Sequence, residues 1–263
     1  MLAISDPQKS LLLAELAERA TLRQASLVVL PIDPPGAAWT FEPYRDLYPA
    51  SMIKVPIAAA LTARWEEGSA APEERVEITL ANMTAEDMPS PFVPGYFATT
   101  RELCELMLTR SNNVAANVLI DFLGRDSITE FAQGLGLEQT FMRRKLSGSL
   151  PLINDPAAQG RNRHPAAESA LLFASIAHGR LPGAHWLKET LGRQCWNDKL
   201  STGLLPGDRF FHKTGETDEF RHDGGILTTN TDKTFVIVAY TALTEHDGDG
   251  AFQAYMHNLR THL

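Results

Sequence analysis

The chain has 263 residues, 44% of them hydrophobic and 21% charged, and a formal net charge of −8. This is an ordinary globular composition with enough length for a sizeable core, as one large domain or two lobes around a cleft. The acidic balance argues against nucleic acid as a partner, because phosphate binding needs a basic face. No apolar run approaches the length that crosses a bilayer, so no membrane span is expected. Met1 to Pro7 lacks a basic start, an apolar core and a small-residue cleavage site. As it stands the sequence therefore predicts a cytoplasmic protein, or a periplasmic or secreted one if the chain is a mature part.

Leu11, Leu12, Leu13, Leu16 and Ala17, with charges between them, predict a helix over residues 7–22. Ser26 to Leu30 reads as a buried strand, Pro31 to Gly36 as a turn, and Trp39 to Phe41 as a second short strand. Pro49 precedes Ser51, and Val55 to Trp65 form a very apolar helix. Residues 69–98, rich in Pro, Met and acids, read as loop. Thr99 with Glu102 makes a capping box that opens a helix to about Leu108. A second helix carries Val114 to Phe122 and stops at Gly124. Asp126 is expected to cap a short helix ending near Gly134.

Residues 139–164 show no clean period and read as a long loop. Pro165 opens a helix through Ala177, and Trp186 to Trp196 is expected to be helical. The last part is strand-rich: Phe210 to Thr214, then a hairpin of Gly225–Thr229 and Thr234–Tyr240. A final helix covers about Ala251 to Leu263. Strands at both ends and helices in the middle predict an α/β (α+β) fold. Its mixed, mostly antiparallel sheet is built from both termini and flanked by helices, beside an all-helical lobe. Residues 1–48 with 205–263 would form the α/β lobe and residues 49–204 the mainly helical one, with a cleft between them.

Three polar triplets stand out: Ser51-Met52-Ile53-Lys54, Ser111-Asn112-Asn113 and Lys213-Thr214-Gly215. A serine followed three residues later by lysine puts a nucleophile and an amine on one helical face. Serine is a weak nucleophile until a base takes its proton, and a buried lysine beside other cations can be that base. One S-x-x-K is common, but three matched elements in order are not. Together they outline an acyl-transfer site.

The triplets resemble the S-x-x-K, S-x-N and K-T-G elements of class A β-lactamases and penicillin-binding proteins. Thr99 to Cys104 and Val114 to Asn117 are similar to that family's helix-loop-helix around S-x-N. Arg221-His222-Asp223-Gly224-Gly225-Ile226 is similar to its strand after K-T-G. The resemblance covers about residues 23 to 260 and implies the β-lactamase/transpeptidase-like fold. It implies that Ser51 carries the acyl group, that Lys54 takes its proton, and that Ser111 relays a proton to the leaving nitrogen. Asn113 would fix Lys54 and bind a substrate carbonyl, while Asn112 caps the next helix. Lys213 would supply positive charge that holds Lys54 neutral or binds a substrate carboxylate, and Thr214 would hydrogen-bond that carboxylate. Gly215 would let substrate approach the strand. The backbone N–H groups of Ser51 and Glu216 would form the oxyanion hole, and Arg221 is a second cation for a carboxylate.

Class A enzymes carry a glutamate in the loop after the S-x-N lobe that activates the deacylating water. Met142 to Pro151 contains no acid; Glu138 and Asp155 flank it. A missing base costs about 10²–10⁴-fold in its step, so acylation with slow deacylation is expected. Glu216, directly after Gly215, would repel a carboxylate ligand unless Lys213 or Arg221 pairs with it. The expected ligand is a small-molecule β-lactam or peptide-like amide. A D-Ala-D-Ala peptide, an ester or another amide is the alternative substrate, and a non-catalytic β-lactam-binding sensor or relic the alternative role. Enzymes of this kind usually work outside the inner membrane, against the absence of a secretory signal. No cofactor is expected. The eight histidines show no H-x-x-x-H or Cys/His spacing, so no metal is expected either. Cys104 and Cys195 read as two buried free thiols, and a monomer is expected.

Overall fold

The computed structural model describes residues 5–86, 88–244 and 250–263. Helix α1 (Pro7–Arg19) leads into strands β1 (Ser26–Asp33) and β2 (Trp39–Phe41). A 3₁₀ turn, Ala50–Ile53, runs into α2 (Lys54–Glu67). Strands β3 (Arg75–Glu77) and β4 (Phe97–Thr99) precede α3 (Thr100–Thr109), α4 (Asn113–Leu123) and α5 (Arg125–Gly134). After a long loop come α6 (Ala166–Ala177), α7 (Ala184–Leu191) and a 3₁₀ turn, Leu200–Gly203. Strands β5 (Arg209–Glu216), β6 (Arg221–Thr228) and β7 (Thr234–Thr241) and helix α8 (Gly250–Arg260) complete the chain.

The five-stranded sheet has the order β2-β1-β7-β6-β5, with every pairing antiparallel. Both faces are covered, so the strands alternate between two apolar cores. Leu27, Val29, Ile237 and Ala239 face α1 and α8, where Leu13, Phe252 and Tyr255 close the packing. Val28, Val236, Val238 and Tyr240 face the larger core built by α2 to α7. That explains why β1 and β7 read as unbroken apolar runs. Helix α2 lies deep in this second core, with ten of its residues buried, Lys54 among them. A helix apolar on nearly every side belongs at a domain centre.

The α+β fold is as the sequence indicated, with several local differences. Residues 69–98 hold a small two-stranded sheet, Arg75↔Thr99 to Glu77↔Phe97, and a 3₁₀ turn at Leu80–Asn82. These pieces are too short to show a period. Strand β1 runs on through the expected turn to Asp33. Thr99 caps α3 by accepting from Glu102 N, but the Glu102 carboxylate accepts from Tyr96 Oη. Gly124, not Asp126, is the N-cap of α5, and α7 stops at Leu191. Cys104 is buried as expected, whereas Cys195 is exposed. Helix α6 lies against β1 and β7 of the sheet.

Gly203 shows how tightly α8 crosses the Leu200–Gly203 turn. A Cβ there would come within 2.6 Å of Gln253 O and 2.7 Å of His257 N. Gly203→Val should therefore force α8 off the turn and destabilise the fold by about 1–3 kcal/mol. Urea unfolding would show this as a lower midpoint with an unchanged slope.

Candidate active site

The 3₁₀ turn at Ala50–Ile53 packs against β5, and Ser51 stands half-exposed at its head. Ala50, just before it, has φ +47°, in the left-handed region that an L residue enters only when its surroundings hold it there. Two contacts do the holding. Gly215 on β5 presses against the turn: a Cβ would lie 3.1 Å from Pro49 O and 3.2 Å from Ser51 N. The glycine thus permits close approach of the strand and the Ser51 turn. The second contact is His222 on β6, whose Nε2 donates to Tyr48 O (2.8 Å) while its Nδ1 accepts from Thr241 N (3.1 Å). These bonds require the neutral ring with the proton on Nε2, and the ring stacks on Tyr240 at 4.2 Å.

Lys54 starts α2 and is fully buried. Its Nζ donates to Asn113 Oδ1 (2.7 Å), to Ser111 Oγ (3.1 Å) and to the Ser111 carbonyl. Ser111 lies in the break between α3 and α4 at φ +59°, which turns its carbonyl and hydroxyl toward Lys54. Asn112 caps α4 by accepting from Ala115 N, so Asn113 is left for the lysine. From the other side Lys213 on β5, also fully buried, places Nζ 3.0 Å from Ser111 Oγ and donates to Thr214 O at 2.7 Å. Burial and the neighbouring Lys54 charge hold the Lys213 amine well below the usual lysine range.

A cleft of about 300 Å³ opens at this point, lined by Ser51, Ser111, Asn113, Leu146, Thr214 and Glu216. Eight of the nine anticipated residues therefore gather in or under one cleft: the six hydrogen-bonding triplet members, Gly215 behind Ser51, and Glu216. Arg221 is the ninth. It lies beside the wall, with Nη2 donating to Glu216 Oε1 at 2.7 Å. Lys199, which no sequence pattern singled out, reaches Glu216 Oε2 at 2.9 Å and lines the same wall. Burial opposes the charge of Lys199, but Glu216 and Asp198 outweigh it and raise its pKa above the usual lysine value.

The loop over the cleft carries Leu146 at the position nearest Asn117. Asn117 grips it from both sides, donating to Leu146 O (2.9 Å) and accepting from Leu146 N (2.7 Å). Asp155 is committed to the loop's own framework: it accepts from Lys145 N (2.7 Å) and pairs with Arg125 at 2.5 Å. Glu138 is exposed and does not line the cleft. Among the described residues, no group of three or more His, Cys, Asp or Glu side chains is placed to hold a metal, and no helix is long and apolar enough to cross a membrane.

The sequence model of the β-lactamase enzyme family matches residues 13–254. A β-lactamase of Rhodobacter capsulatus is 29% identical over 196 residues, which is 67% of this chain and 62% of that one; the chain thus spans under two thirds of that relative's length. The solved structure of PBP-A superposes with a TM-score of 0.83 at 23% identity, covering 100% of both chains. An acyl-enzyme complex of a PBP-A variant with penicillin G gives 0.82 at 24% identity, again covering 100% of both.

His222 gives this site a pH signature. Burial pulls its pKa from 6.5 to about 4. Its stabilising effect is complete above pH 6.5 and is lost as the pH falls toward 4, by roughly 3 kcal/mol. His164, buried and pulled down to about 3, acts in the same direction. Stability measured by urea unfolding should fall from pH 6.5 to 4, and His222→Gln should flatten part of that fall. A variant with the full wild-type slope would contradict the tether.

Proposed function

Since the chain belongs to the β-lactamase enzyme family, we propose that it is a serine acyl-transfer enzyme acylated at Ser51 by a β-lactam or related amide, with slow release of the acyl group. The observation that carries this reading is the convergence of two buried lysines on Ser111 beside the half-exposed Ser51. Ser51 Oγ attacks the carbonyl carbon as its proton passes to Lys54 in its uncharged form. The carbon–nitrogen bond then breaks, and Ser111 gives its proton to the leaving nitrogen. Lys54, which then holds the Ser51 proton, returns it to the Ser111 oxygen 3.1 Å away, and the protons balance. Lys213 Nζ, 3.0 Å away, donates to the same oxygen and holds it in place. The backbone N–H groups of Ser51 and Glu216 serve as oxyanion donors, worth about 3 kcal/mol each.

Slow release follows from Leu146. The Asn117 clamp fixes this residue over the cleft, and its side chain cannot take a proton from water. A peptide or ester substrate with the same chemistry is the second reading, favoured by the same acid-free loop, since a transferase or peptidase needs no β-lactam deacylation base.

Intact-protein mass followed over time with penicillin G tests the first reading. An adduct that maps to Ser51 is expected, and Ser51→Ala should carry none while keeping its fold. An adduct that survives in Ser51→Ala would remove the nucleophile assignment. In a second experiment Leu146→Glu should shorten the adduct lifetime about 10²-fold or more, the usual effect of a positioned base. An unchanged lifetime would show that the clamp does not aim residue 146 at the acyl group.

A further inference from the structure

The wall of the cleft beside Thr214 holds an arrangement that the acylation chemistry does not require. Glu216 projects from the end of β5 with its side chain 43% exposed. Both of its oxygens are taken, Oε1 by Arg221 at 2.7 Å and Oε2 by Lys199 at 2.9 Å. The two cations are themselves almost wholly enclosed, their side chains 7% and 1% exposed. Lys199 cannot swing toward a ligand. Asp198 holds its ammonium at 3.2 Å, and Asp223 Oδ2 anchors the next residue through Leu200 N at 3.0 Å. Asp223 is in turn fixed by His212 at 2.7 Å. Asp218 adds another exposed carboxylate to the same lining.

We propose that Glu216 is a specificity-determining residue: by occupying Lys199 and Arg221 it biases the cleft toward acyl substrates that carry no carboxylate on that wall. This rests on the acylation of Ser51 argued above. Lys199 and Arg221 each already neutralise a carboxylate of the protein at this wall, and Lys213 lies fully buried behind Thr214. An anionic substituent entering beside Thr214 meets Glu216 and Asp218 and must compete with an intramolecular partner for either cation. At separations of a few ångströms near a protein surface such a charge is worth more than a tenfold change in rate. A neutral amide or ester meets no such opposition. Glu216 therefore acts through its side chain on the choice of substrate, separately from its backbone N–H.

The test compares acylation of the full chain by penicillin G and by penicillin G methyl ester, which differ only in that carboxylate. The quantity read is the ratio of the two acylation rate constants from intact mass. Glu216→Gln keeps the shape but removes the charge, and should raise the carboxylate-to-ester ratio about tenfold or more. Lys199→Met leaves Glu216 less neutralised and should lower the ratio, and the double variant should return it toward the wild-type value. A general loss of packing would slow both substrates together. An unchanged ratio in Glu216→Gln would overturn the proposal while leaving Ser51 acylation standing. A wild-type chain that takes neither substrate at Ser51 would overturn the acylation reading, and this inference with it.

Discussion

Two buried lysines reaching one serine hydroxyl is the constraint around which the rest of the site is arranged. Lys54 comes from the start of the central helix, Lys213 from a sheet strand, and Ser111 from a break between two further helices. Each amine is fully enclosed, and two ammoniums that close in a dry interior repel strongly. The fold meets that cost with carbonyls and an amide, the oxygens of Ser111, Asn113 and Thr214, and by lowering the pKa of Lys213. An amine that readily loses its charge is what serine chemistry needs near its nucleophile. The left-handed backbone at Ala50 and Ser111 belongs to the same arrangement, since both residues are bent to meet the lysines and the strand.

In the proposed reaction, acylation and release would rely on different parts of the molecule. Lys54 and Lys213 sit on helix and strand, where packing fixes them. Release would depend on the loop over the cleft, and there the sequence supplies Leu146 in a clamp that would orient any residue placed in it. The nearest loop acid, Asp155, is buried in the loop's own hydrogen bonds. On the proposed reading, the helix and strand groups form the acyl-enzyme, and the loop over the cleft presents Leu146 where release would need an acid.

The triplets were legible because their chemistry demands fixed residue types, and because an apolar helix after Ser51 and a helix break at Ser111 are local features. The buried strands were legible from their unbroken apolar runs. Other features had no local signature. β3 and β4 are three residues each, too short for alternation to register. Asp126 looked like a cap, but Gly124 with φ +85° takes that place. Gly215 suggested room for substrate, whereas the contact that requires it is the Ser51 turn. Lys199 lies in a stretch with no period, and tertiary packing brings it to Glu216, which the sheet register sets opposite Arg221. Cleft walls made from distant segments are set by tertiary packing, and a single sequence carries little trace of them.

Proton NMR-detected titration of lysines labelled with ¹³C at Cε would examine the lysine pair most directly. The Lys213 signal, assigned through a Lys213→Arg variant, should titrate well below every surface lysine, and Lys54→Met should move it back up by removing the neighbouring charge. A Lys213 signal that titrates with the surface lysines, unmoved by Lys54→Met, would contradict the coupling of the two buried amines around Ser111.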